Sequence, residues 1–207
     1  MLSVVLKGAF VSGSLIVAIG SQNAFLLKSG LKNNYVMLVA TICFIGDILL
    51  ISTGVLGIGA LLQQAPVMTE ILTLCGILFL CWYGWLSAQS AWRGQSHLDI
   101  DNKEVSRNWV KVAMMTLAMT FLNPHVYIDT IVVLGGITSS LNFEEKRWFL
   151  VGALSASAIW FYGVAYIAKQ LIPLFARPKT WRILDTVIAV IMFSIAAGLL
   201  KTLIPSS

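Results

Sequence analysis

The sequence predicts an all-α fold: a polytopic membrane bundle of six transmembrane helices, arranged as two inverted three-helix repeats within a single membrane domain, residues 1–207. Three observations predict it. Of the 207 residues, 58% are hydrophobic and 11% are charged, whereas a soluble globular chain carries about 25% charged residues. Mean hydropathy is +0.86, which implies more apolar surface than a soluble fold of this length can bury. The apolar residues fall into six runs of roughly 20–28 residues, each long enough to cross about 30 Å of hydrocarbon with some tilt. A β-barrel is excluded, because its strands would alternate apolar and polar residues over segments of about ten.

The first half covers residues 1–92 and three runs. The first run, residues 4–27, is longer than the apolar core of a signal peptide, so it reads as a retained helix. Its Gly8, Ser12, Gly13 and Ser14 allow close approach of another helix. It ends in a polar interruption, Gly20-Ser21-Gln22-Asn23-Ala24-Phe25. The second run, residues 35–62, carries Asp47 near its middle and then Gly54, Gly57 and Gly59. A tight turn follows at residues 63–66. The third run, residues 67–92, holds Trp82, Tyr83, Trp85 and Trp92, which suit an interfacial aromatic belt.

Residues 93–108 form the one long hydrophilic stretch and read as a solvated cytoplasmic linker. The second half is residues 109–207. Its first run, residues 109–137, contains Thr120-Phe121-Leu122-Asn123-Pro124-His125-Val126-Tyr127-Ile128-Asp129-Thr130. Residues 139–146 are expected to turn. The fifth run, residues 147–172, presents Gly152, Ala153, Ser155, Ala156 and Ser157 as a small-residue face. Residues 173–182 are expected to form a basic loop, and the sixth run is residues 183–204.

The net charge of +5 does not point to nucleic acid, because the cations lie in short loops. Of the 14 Lys and Arg residues, ten fall in the loops after runs one, three and five, and four on the opposite side. By the positive-inside rule the ten-cation side is cytoplasmic and both termini lie outside; a five-helix version with one run re-entrant would change this. Cys43, Cys75 and Cys81 sit in apolar runs without CxxC spacing, so they read as small hydrophobes in helix packing. No metal-ligand cluster is present in the sequence, and no cofactor is expected.

The polar residues inside the apolar runs carry the chemistry. A charge at bilayer depth costs roughly 2.5–3.5 kcal/mol even on lenient insertion scales. Asp47 and Asp129 are the acids well inside apolar runs; Glu70 and Asp185 sit near run ends. No Lys or Arg lies at matching depth in the sequence, so both acids suggest a cationic substrate, a coupling proton, or both; a protonated acid hydrogen-bonded to a neighbouring helix is the competing reading. Pro124 removes a backbone donor, and the carbonyls it frees can line a cavity. A simple structural kink is the competing reading. His125 can shuttle a proton near neutral pH or pack as a neutral, hydrogen-bonded ring. Tyr127 reads more as packing than as ligand. Each half holds an Asn-containing interruption in its first helix, Gln22-Asn23 and Asn123-Pro124. In inverted halves these face each other across the midplane and make a central site. The candidate site is therefore Gln22, Asn23, Asp47, Asn123, Pro124, His125, Tyr127 and Asp129. Moving a monovalent cation out of a negative interior costs about 2.3 kcal/mol per 100 mV, so such export needs coupling, with Asp47 the first candidate to exchange substrate for proton.

At these residues the chain resembles the LysE family of basic amino-acid exporters, closest to its arginine-exporter branch. Gly20-Ser21-Gln22-Asn23-Ala24-Phe25 is similar to the first-helix signature, and Leu122-Asn123-Pro124-His125-Val126-Tyr127-Ile128-Asp129-Thr130 to the fourth-helix one. Ile45-Gly46-Asp47 and Lys146-Arg147-Trp148-Phe149 also fit. Ser21 stands where the family usually has proline, and serine does not force a helix break. The resemblance implies a multi-pass bacterial inner-membrane protein that exports arginine or lysine, with no catalysis and no bound cofactor. Its partners would be the basic amino acid, a coupling proton and membrane lipids. Homo-oligomerisation is compatible with the small-residue faces. Efflux of a neutral amino acid or another small cation is the alternative. A small membrane thiol oxidoreductase is a remote one, opposed by the missing CxxC.

Overall fold

The computed structural model describes residues 1–17, 20–32, 34–57, 66–93, 108–173 and 178–203. Among them the chain is helical, with no strand. The helices are α1 (Leu2–Val17), α2 (Ser21–Leu31), α3 (Val36–Val55), α4 (Pro66–Arg93), α5 (Trp109–Phe121), α6 (Pro124–Tyr127), α7 (Gly135–Thr138), α8 (Phe143–Gln170) and α9 (Pro178–Leu203). A wider π-helical segment, Ile128–Leu134, joins α6 to α7. Within α3, α4, α8 and α9 lie four stretches long and apolar enough to cross a membrane, and α1 with α2 makes a fifth when the bent pair counts as one span. The chain is a multi-pass membrane protein. Residues 94–107 of the expected 93–108 linker, residues 63–65 of the expected 63–66 turn, and Gly59 lie outside the described residues, while Arg93 ends α4, Asn108 caps α5 and Pro66 opens α4.

Burial follows the logic of a bundle in lipid. Phe10, Leu78, Trp85, Ile159 and Ile183 point outward and are exposed, as apolar side chains can be when the solvent is hydrocarbon. Inward faces are close-packed. Between α4 and α9 lie Ile77, Leu80, Ile188, Met192, Ala196 and Leu199. Phe149 and Ala153 of α8 meet Ile51 and Val55 of α3. Helix α1 packs along α8, and there Gly152 is required by contact: a Cβ on it would strike the carbonyl of Val5 and the amide of Ala9. Gly8 meets the Phe149 carbonyl in the same way from the other helix. Of the expected small-residue faces, Gly8, Gly13, Gly152 and Ala156 meet in one α1–α8 interface, while Ser14 and Ser155 are exposed.

Several sequence expectations need correction. The first run is not one helix. Helix α1 stops at Val17, α2 begins at Ser21, and the two axes differ by 74°. No proline is needed, because Gly20 is extended and side chains replace the lost ladder. Asn23 Nδ2 donates to the Ile16 carbonyl at 2.7 Å, satisfying an acceptor freed at the end of α1. The fourth run is likewise divided. Helix α5 ends at Phe121, α6 opens at Pro124, and the Tyr127 hydroxyl donates to the freed Phe121 carbonyl at 2.9 Å.

Residues 143–146 are helical rather than part of a turn. Asn142 Oδ1 accepts from the Glu145 amide at 2.9 Å, and Glu145 Oε2 accepts from the Asn142 amide at 3.0 Å. This capping box starts α8 four residues ahead of the apolar run. Helix α9 similarly starts inside the expected basic loop, at Pro178, where proline's missing N–H costs nothing. Tyr83 is not in an aromatic belt. It is buried on the α4 face shared with Ile77, Leu80 and Ser87, while Trp82, Trp85 and Trp92 face outward. Among the cysteines, Cys43 is buried as expected but Cys75 is exposed on the outer face of α4.

Candidate functional site

The two helix breaks meet. Gln22 Nε2, just inside α2, donates to Thr120 Oγ1 on α5 at 3.2 Å. Asn123 Nδ2, in the second break, lies 3.5 Å from Ser21 Oγ. Both contacts join residues about a hundred positions apart, and Ser21, Thr120 and Asn123 are buried. Asn23 also accepts from Trp160 Nε1 on α8 at 3.1 Å. The amide at each break is thus fixed by neighbouring helices rather than left to solvent.

Beside the junction lies a cavity of about 560 Å³ lined by Ser21, Gln22, Asn23, Asp47, Asn123 and Asp129, among others. Its size falls in the roughly 300–1,000 Å³ range of small-molecule sites. Asp47 is only 4% exposed. Ser157 Oγ of α8 donates to its Oδ2 at 2.7 Å. No basic side chain pairs with Asp47 among the described residues. A carboxylate has room for about four donors, so one hydroxyl leaves most of its accepting capacity for a bound cation or proton. Ser12 Oγ, also on this wall, is buried with no hydrogen-bond partner among the described residues.

Glycine sets the depth of the cavity wall. A Cβ on Gly54 of α3 would strike the Thr130 carbonyl. The absence of that atom lets the π-helical segment press against α3 and brings Asp129 and Thr130 to the cavity that Asp47 lines. A π-helical widening of this kind is typical of functional sites in helices. Thr130 Oγ1 donates back to the Val126 carbonyl at 2.7 Å, meeting one acceptor that the widened turn would expose.

Five of the eight residues expected from sequence, Gln22, Asn23, Asp47, Asn123 and Asp129, line this one cavity. Tyr127 is used in packing, as its hydroxyl bond to Phe121 requires. Pro124 and His125 open α6, and their side chains lie outside the described residues. Sequence reasoning missed Ser157, Trp160 and Thr120, which orient the site from other helices. It also passed over Asp185 as a near-end acid. Asp185 is fully buried and ion-paired with Lys28 of α2 at 2.6 Å, and it accepts from Ser90 of α4 at 2.9 Å. One signal was available: Asp185 shares the helical spacing of Trp181, Ile188 and Met192, all buried.

The profile of the LysE type translocators matches residues 13–202. The chain belongs to the LysE type translocator family. It is therefore a translocator and not an enzyme, which removes the thiol-oxidoreductase alternative. LysE-family relatives include the arginine exporter protein ArgO of Enterobacter sp. (strain 638), 39% identical over 97% of this chain and 95% of the relative. The ArgO protein of Salmonella typhi is 39% identical with the same coverage. That of Yersinia enterocolitica is 38% identical over 97% of this chain and 98% of its own length. No solved structure matches this LysE-family chain.

Proposed function

We propose that this LysE-family protein exports basic L-amino acids, arginine and/or lysine, from the bacterial cytoplasm, driven by an inward proton. The observation that carries the reading is Asp47: a nearly buried carboxylate on a cavity wall, given a single hydroxyl donor and no basic partner among the described residues. A guanidinium or ammonium in the cavity would supply the missing charge, and a proton would do so when the substrate has left. Gln22, Asn23 and Asn123 orient the amino acid, and Asp129 is a second carboxylate on the same wall. Pro124, His125 and Tyr127 shape the break through which the cavity changes access, with His125 as a candidate proton carrier. The ArgO names of the relatives support arginine as substrate.

Six spans in two inverted halves are part of this proposal. The packing supports it, because the main helix pairs keep a counterpart when the halves are exchanged. Helix α1 packs on α8 as the second-half break packs on α3; α3 packs on α8, and α4 on α9. Each break also carries a side chain that closes the carbonyl left at the preceding helix end, Asn23 on Ile16 and Tyr127 on Phe121. The bias in basic loops supports a cytoplasmic position for the Lys28–Lys32 end and an external position for both termini; a terminal tag found in the cytoplasm would overturn that orientation.

Cells lacking other exporters, loaded with arginine- or lysine-containing dipeptides, test the function. Wild type should release the basic amino acid, and a protonophore should stop it. Asp47→Asn should cut release about tenfold or more, as expected when a charge-assisted bond of 1.5–3 kcal/mol is lost, with the protein still in the membrane. Unchanged release by both Asp47→Asn and Asp129→Asn would sink the carboxylate reading. Release of neutral amino acids alone would replace it with the neutral-substrate alternative.

A further inference from the structure

A second cavity, of about 240 Å³, lies at the other end of α2 and is lined by Lys28, Lys32, Lys111, Asn34, Asn108 and Tyr83, among others. Among the described residues that line it there is no acid. The charges do not balance. Asp185 beneath the cavity neutralises Lys28 at 2.6 Å. Lys32 stacks over the buried Trp181 ring at 5.7 Å, and Lys111 lies on the cavity wall beside Asn108. Burial, and then the neighbouring Lys28, hold the Lys32 ammonium below its ordinary 10.5, against the opposing pull of Asp185. Lys32 and Lys111 therefore line a small cavity with one carboxylate nearby, already engaged by Lys28. Such a cavity favours an oxyanion.

The same helix links the two cavities. Ser21, Gln22 and Asn23 at the start of α2 line the central one, while Lys28 and Lys32 at its end line the basic one. Between them stands Phe25, edge-on to Tyr83 at 6.1 Å between ring centres. Eleven residues of helix span only about 16 Å, so the two cavities lie within about that distance along α2, with the Phe25–Tyr83 pair between them.

We propose that the basic cavity is an entry site for the α-carboxylate of the amino acid, bound by Lys32 and Lys111 before its cationic side chain reaches Asp47. This rests on the transport reading above and adds a specificity rule to it. A cation without a carboxylate would satisfy Asp47 but not the entry site, so decarboxylated analogues are discriminated at the mouth rather than in the centre. An anionic lipid headgroup offers the same oxyanion chemistry, and the test separates the two sources.

The purified full chain in phosphatidylcholine nanodiscs is titrated with arginine and with agmatine, which is arginine without its carboxylate. Wild type should prefer arginine by about tenfold or more, as one bond to a charged group worth 1.5–3 kcal/mol predicts. Lys32→Gln/Lys111→Gln should bring the two ligands to within about twofold, while Asp47→Asn should weaken both alike. Should the double variant not fold, Lys111→Gln alone carries the test, because that side chain is exposed; its preference should fall about threefold. A preference for arginine that survives the lysine substitutions overturns the entry site, even where arginine export itself is intact. Phosphatidylglycerol nanodiscs form the second arm: phosphatidylglycerol binding lost in the lysine variant, with arginine and agmatine bound equally by wild type in both lipids, would assign the cavity to a headgroup and overturn the proposal. Failure of wild-type cells to release arginine would instead refute the transport reading.

Discussion

Lys28→Met gives the most quantitative prediction. Asp185 is fully buried and Lys28 is 15% exposed, with 2.6 Å between them. Removing one partner of a buried ion pair costs about 3–5 kcal/mol, because the other charge is left without compensation. Ser90 still donates to Asp185 at 2.9 Å in the variant, so the lower end applies, about 3 kcal/mol. That is roughly a 150-fold change in the folding equilibrium and a fall in Tm of roughly 6–12 °C for a chain of this length. Thermal unfolding of the purified protein in detergent measures it. Asp185→Asn should cost less, about 1–2 kcal/mol, since Lys28 can extend its charge toward water when released. The double variant Lys28→Met/Asp185→Asn should be close to Asp185→Asn alone, because no buried charge remains. A double variant that loses the full sum of the two single effects would refute the reasoning: the groups would then be energetically independent despite their contact.

Two further substitutions probe the frame. Gly152→Val should exceed the usual 1–3 kcal/mol of overpacking, because the added atoms meet backbone of α1 rather than a yielding side chain; the protein should be depleted from the membrane fraction, whereas Gly136→Val, which meets nothing within 4 Å, should be retained. Asn142→Ala removes the capping box of α8 and should cost about 1 kcal/mol, seen as faster amide exchange over residues 143–146 with the rest of α8 unchanged.

The membrane class of this protein was legible from composition, because no soluble core can hide such an apolar chain. The acids and amides of the central site were legible too, since hydrocarbon makes every buried polar group conspicuous. Asp47 and Asn123 stand out from their neighbours without any structure. What composition could not supply was the second partner of each group. Ser157 looks like any small helix-packing residue until α8 crosses α3 and sets its hydroxyl on Asp47. The break at Gly20 carries no proline, and it is made by Asn23 reaching back to Ile16 and by Trp160 fixing that amide from another helix. Asp185 reads as a near-end charge along the chain, yet the bundle places it under Lys28 and Ser90.

The sequence by itself determined which residues are too polar for lipid, because transfer free energy belongs to each side chain and its run of neighbours. Only the tertiary structure decided which of them share a cavity, which are neutralised by a partner from another helix, and which still accept a ligand. Those outcomes depend on distances of about 3 Å between residues as much as 157 positions apart, and a linear pattern carries no record of them.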